Sequence, residues 1–82
     1  MTFGLFLKPR AEKDLRSLPR EVQERVAEKL RAARENLHAD VKRLTHFVPS
    51  YRLRIGDYRV LFEVENESIV VYRILHRREA YR

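Results

Sequence analysis

The spacing of apolar positions changes character along the chain. Residues 3–7 (FGLFL) form a short apolar run stopped by Lys8 and Pro9. Proline cannot donate to a sheet ladder, so the run predicts one brief strand before a new element. From Pro9 the period is helical: Ala11, Leu15 and Leu18 recur at spacings of four and three, predicting a short helix that runs to a break at Pro19. Ser17 and Pro19 read as the N-cap region of a second helix. That helix carries the clearest stripe in the chain, Val22, Val26, Leu30, Ala33 and Leu37, with Glu and Arg filling its other faces. Such a stripe is a core-facing surface with a solvated back, and no chemistry is assigned to it.

Residues 38–50 follow neither period, and Pro49 and Ser50 mark a boundary, so this segment reads as a connector. Beyond it, strand-like runs cover residues 51–55, 58–64 and 69–75. They are joined at Gly56 and Asp57 and across residues 65–68, both links being short enough for hairpins. A strand, two helices and an antiparallel meander predict an α+β sandwich in two layers, with the helix pair on one sheet face and the opposite face left open. A length of 82 residues fits one domain over residues 1–82 with a single modest core.

Composition narrows the chemistry. The absence of cysteine removes both a disulfide framework and a thiolate metal site. The N-terminal apolar stretch is too short for a secretion signal or a membrane span, so a soluble cytoplasmic chain is expected, without membrane contact. The formal net charge is +6, and its excess sits in the strand-rich half. From Val41 onward nine Lys or Arg face five Asp or Glu, against nine and seven before it. That bias favours nucleic acid or an acidic protein partner.

The arginines recur where a phosphate can use them. Arg52 and Arg54 alternate with Leu53 and Ile55, Arg59 sits between Tyr58 and Val60, and Arg73 between Tyr72 and Ile74. Side chains two apart on a strand share a face, so these residues predict an exposed cationic sheet face, and guanidinium forks match phosphate oxygens. No glycine-rich phosphate loop or HExxH pair is present, and His38, His46 and His76 form no pair at ligand spacing. Neither a cofactor nor a metal is expected.

The YRLRIGDYRVLF hairpin, the IVVYRIL strand and the closing HRREAY, after a proline-punctuated helix pair, resemble the RelE/ParE superfamily of bacterial and archaeal toxins, and the RelE branch most. The resemblance covers nearly the whole chain. It implies a helical hairpin against a twisted, mainly antiparallel sheet, and a small basic protein that enters the ribosomal A site and cuts mRNA there, restrained by a cognate antitoxin. It also implies a reaction, attack of a ribose 2′-hydroxyl on the neighbouring phosphate to give a 2′,3′-cyclic phosphate and a free 5′-hydroxyl.

Carried over by position, the resemblance places Arg52 and Arg54 at two basic positions of one strand, Arg59 at the arginine of the next, Arg77 (or Arg78, one register along) at a C-terminal arginine, and Tyr81 at a C-terminal tyrosine. Arg73, Arg78, His76, Lys42 and Arg43 are expected as RNA contacts. Lys8, Arg10, Lys13 and Arg16 are expected on a nonspecific surface facing ribosomal RNA. Arginine stabilises developing phosphate charge well but is a poor base at neutral pH. Some family members carry lysine where this chain has Arg52 and Arg54, so proton handling falls to Tyr81 or to His76. Two other functions fit the same pattern: a ParE-like inhibitor of DNA gyrase, which needs no catalytic group, and an inactive RNA-binding domain.

Overall fold

The first apolar run forms β1 (Gly4–Leu7) in a computed structural model that describes residues 2–36, 41–44, 46 and 48–80. Pro9 then opens α1 (Pro9–Arg16), at a position where its missing N–H costs no hydrogen bond. Ser17 ends α1 rather than capping the next helix. Its N–H reaches the carbonyls of Lys13 and Asp14 at 3.2 and 3.1 Å, and its Oγ donates to Asp14 O at 2.7 Å. The second helix, α2 (Arg20–Glu35), starts from Pro19 without a side-chain cap. Gln23 Nε2 donates to Leu18 O at 2.8 Å and fixes the bend between the helices. Leu37, expected to end the α2 stripe, and His38 lie outside the described residues.

The expected connector contains a strand, β2 (Val41–Arg43), paired antiparallel with β3 (Tyr51–Ile55). Three residues with one apolar side chain are too few to carry a period, and the ladder to β3 supplies what the sequence pattern lacks. The sheet continues through β4 (Tyr58–Glu65) and β5 (Ser68–His76), and the short helix α3 (Arg77–Ala80) follows. The strand order is β1-β5-β4-β3-β2. The β2 to β5 pairs are antiparallel, whereas β1 runs parallel to β5. The predicted meander is therefore extended at both edges, giving an α+β fold with a mixed sheet.

Both hairpins use two-residue turns. Gly56 has φ +57°, and Asn66 and Glu67 have φ +49° and +62°, the left-handed values that match the twist of hairpin strands. A bulge interrupts the β4–β5 ladder: Leu61 pairs with Arg73 while Phe62 pairs with Val71, leaving Tyr72 as the extra residue. Val71 and Ile74 can then both point into the core although three apart, and Arg73 turns to the other face.

The core lies between the helices and one sheet face. Ala11, Val26, Leu30 and Ala33 pack against Leu53, Ile55, Val60, Phe62, Ile69, Val71 and Ile74. Burying these side chains contributes on the order of 1.5 to 3 kcal/mol for each large one. Tyr51 stacks on Phe62 with ring centroids 5.4 Å apart. Among the described residues no helix is long and apolar enough to cross a membrane.

Candidate nucleic-acid interface

The ladder register gathers cations on the sheet face opposite the apolar core. Lys42 pairs with Arg52, and Arg54 pairs with Arg59. Alternation along β3 puts Arg52 and Arg54 on the same face, so these four residues occupy two neighbouring rows. Lys42 and Arg54 are exposed and Arg52 is half-buried. Arg43, one residue along β2, points to the opposite face and lies over the Tyr51 ring, 5.9 Å from its centroid.

Arg59 departs from the expectation of an exposed cation, being only 7% accessible. Its Nη1 donates at 2.9 Å to the carbonyls of Gly56 and Tyr58. The guanidinium is thus folded back on the β3–β4 turn, where backbone dipoles hold it in a fixed position. Arg25 from α2 reaches the same turn: a Cβ added to Gly56 would lie 3.2 Å from Arg25 Nη1.

Arg73, expected as an RNA contact, is engaged by α1. Its Nε and Nη2 donate to Asp14 of α1 at 2.7 and 3.2 Å, and the N–H of Ile74 donates to the same carboxylate at 3.0 Å. Burial acts to raise the Asp14 pKa. The hydrogen bonds from Arg73 and Ile74 and the charges of Arg73 and Arg10 outweigh it, so the carboxyl titrates below its ordinary 3.8. The hydrogen bond to Asp14 likewise raises the Arg73 pKa above its ordinary value, burial acting in opposition. No sequence period marks Asp14, because the contact spans α1 and the β5 bulge.

The tail forms α3 against the same hairpin. Arg77 N–H donates to Asp57 O at 2.7 Å, extending the β4–β5 ladder by one bond. Arg77 Nε lies 4.0 Å from Asp57 Oδ1 with both side chains well exposed, a weak pair in water. His76 packs edge-on against Tyr58, centroids 5.5 Å apart. Arg78 N–H donates to His76 Nδ1 at 3.3 Å, and His76 N–H donates to Glu79 Oε1 at 3.4 Å. These reciprocal bonds form a capping box whose cap is His76. The HRRE spacing carries that signal only weakly, because histidine stands where serine or threonine is usual. His76, Arg78 and Glu79 line a cleft of about 320 Å³.

Tyr51, Tyr58 and Tyr72 serve the fold, as aromatic residues in strands commonly do. Tyr72 lies under Lys8 Nζ at 4.0 Å and donates to Glu65 Oε2 at 3.2 Å. Lys8, Arg10, Lys13 and Arg16 are all exposed at and around α1. Tyr81, expected as a site residue, lies outside the described residues.

The family described as ParE toxin of the type II toxin-antitoxin system, parDE, matches residues 5–81. Toxin RelE3 of Methanocaldococcus jannaschii is 30% identical over 74 residues, covering 84% of each chain. The antitoxin–toxin complex RelB-RelE from Methanococcus jannaschii aligns with a TM-score of 0.77 at 28% identity over 93% of this chain and 94% of that one. The archaeal RelE-RelB complex from Pyrococcus horikoshii OT3 aligns with a TM-score of 0.78 at 27% identity over 94% and 97%. The chain belongs to the RelE/ParE superfamily, as a RelE-type toxin of a type II toxin–antitoxin system.

Proposed function

We propose that the protein is a ribosome-dependent endoribonuclease that cleaves mRNA in the ribosomal A site and arrests translation. The observation that carries this reading is the double row of Lys42 with Arg52 and Arg54 with Arg59 on the sheet face opposite the apolar core, a surface suited to a polyanionic backbone. Arg59, held by the carbonyls of the turn, is the fixed cation beside the scissile phosphate, where preorganised charge acts most strongly. Arg52 and Arg54 bind the flanking backbone. Arg77 approaches from α3, Tyr81 stacks on a base, and Lys42, His76 and Arg78 widen the contact, whereas Arg43, on the opposite face over Tyr51, takes no part in it. A chain this small orders little RNA by itself, so the ribosome supplies the alignment of the substrate.

Its partner is a cognate antitoxin in the cytoplasm. RelE of the two archaeal complexes is bound by RelB, and an acidic amphipathic segment would suit the basic rows and the apolar end of the same sheet face, where Phe6 is 62% exposed beside Val70.

The test adds purified protein to a translation extract and maps 5′ ends on the mRNA. Cuts within codons of ribosome-bound message, absent from free mRNA, are the expected result. Intact message during arrest overturns the reading. A second reading, inhibition of DNA gyrase, is favoured by the match to the ParE toxin family. It predicts loss of supercoiling activity with intact mRNA.

A further inference from the structure

The cationic rows leave one requirement of 2′-hydroxyl attack unmet. A guanidinium keeps its proton at neutral pH, so Arg52, Arg54 and Arg59 are poor bases. The cleft at the end of β5 brings three other kinds of group together: the imidazole of His76, the guanidinium of Arg78 and the carboxylate of Glu79. Because the Arg77 N–H bonds Asp57 O, this cleft is docked on the same two-residue turn whose Gly56 carbonyl holds Arg59.

The capping box sets what each group offers. His76 Nδ1 accepts the Arg78 N–H, so the neutral ring carries its proton on Nε2 and presents a donor rather than a proton acceptor. Glu79 uses Oε1 to accept the His76 N–H. Its second oxygen makes no hydrogen bond among the described residues, and the side chain is exposed, so that oxygen is open to an incoming hydroxyl. Arg73 and Arg78 place positive charge around it.

We propose that Glu79 is the general base of the cleavage, an inference that rests on the endoribonuclease reading above. The 2′-oxygen forms its bond to phosphorus as its proton passes to the free oxygen of Glu79. The bond from phosphorus to the 5′-oxygen breaks, and the departing oxygen takes a proton from water. Arg78 and the Nε2–H of His76 offset charge on the phosphoryl oxygens. Glu79 then returns its proton to solvent. In this scheme Tyr81 is left to stacking.

The decisive variant is Glu79→Gln. Glutamine fills the same capping position, its oxygen accepting the His76 N–H, but it cannot take a proton from a hydroxyl. Single-turnover cleavage on programmed ribosomes is expected to slow by about 10²- to 10⁴-fold, the usual contribution of a general base, while ribosome affinity and melting temperature stay at wild-type values. Wild-type cleavage by Glu79→Gln overturns the assignment, and so does a loss matched by equal losses of affinity and melting temperature. If the unaltered protein cuts nothing, the endoribonuclease reading itself falls. An active wild type beside an equally active Glu79→Gln removes only the base.

Discussion

Oδ2 of Asp14 is shared between Arg73 Nε at 2.7 Å and the Ile74 N–H at 3.0 Å. This joins α1 to β5 beyond the point where β1 ends and can no longer pair with it. The carboxylate takes over for the missing strand at Ile74 and holds the Arg73 side chain at the bulge, so its removal should be felt in the fold. Asp14→Ala is expected to lower unfolding free energy by about 1 to 3 kcal/mol, the usual range for hydrogen bonds to a charged group. Urea denaturation at neutral pH measures it, and a loss near zero would mean that the clamp is solvated and idle.

The same contact has a pH signature with a fixed sign. The folded-state pKa of Asp14 lies below the unfolded value of 3.8. Its stabilisation is therefore fully present above about 3.8 and lost as pH falls through the lower folded-state value. The stability gap between wild type and Asp14→Asn is expected to be constant from pH 5 to 7 and to narrow below about pH 4. Denaturation midpoints of both proteins across that range provide the check, and a gap that widens on acidification would contradict the direction of the shift.

Arg59 and Arg54 face each other across a ladder but should behave differently on truncation. Arg59 is buried and satisfies the Gly56 and Tyr58 carbonyls, whereas Arg54 is exposed. Arg59→Ala is expected to cost about 1 to 3 kcal/mol of stability by stripping those carbonyls of a donor. It should cost a further 2 to 4 kcal/mol or so of transition-state stabilisation in cleavage. Arg54→Ala should leave the melting temperature nearly unchanged and weaken RNA binding, reducing the slope of log affinity against log salt by about 0.7 to 1. Equal stability losses in the two variants would refute the difference in burial as its cause.

Much of this architecture was legible in the chain. The helical stripe of α2 and the runs of β3 to β5 are long enough to declare their periods, and Gly56 marks its turn by needing a left-handed φ. The features that escaped have no local signal. β2 exists because β3 offers a ladder, and the parallel pairing of β1 with β5 joins residues more than sixty apart. The bulge is instructive for Arg73. Strict alternation from Ile69 and Val71 would turn its guanidinium into the core, and only the extra residue at Tyr72 moves it to the cationic face. Arg52, Arg54 and Arg59 were readable as a shared face because β3 and β4 are regular there. Burial of Arg59 was not, because it depends on how a long side chain folds back on its own turn.

The last prediction concerns the apolar end of the open face. Phe6 pairs with Val70 in the β1–β5 register and is 62% exposed, which puts an aromatic ring on the same sheet face as the cationic rows. If the antitoxin seats an apolar side chain there and acidic residues over Lys42, Arg52 and Arg54, the two halves of the surface should control different rate constants. Phe6→Ser is expected to raise the dissociation rate of the cognate antitoxin by about 10-fold or more while leaving association nearly unchanged, because buried apolar contacts set residence time. Raising ionic strength should do the reverse, slowing association of the wild-type pair with little effect on dissociation. Surface plasmon resonance with immobilised antitoxin separates the two. An association rate that stays flat from low to high salt, or a Phe6→Ser complex as long-lived as wild type, would place the antitoxin elsewhere on the molecule.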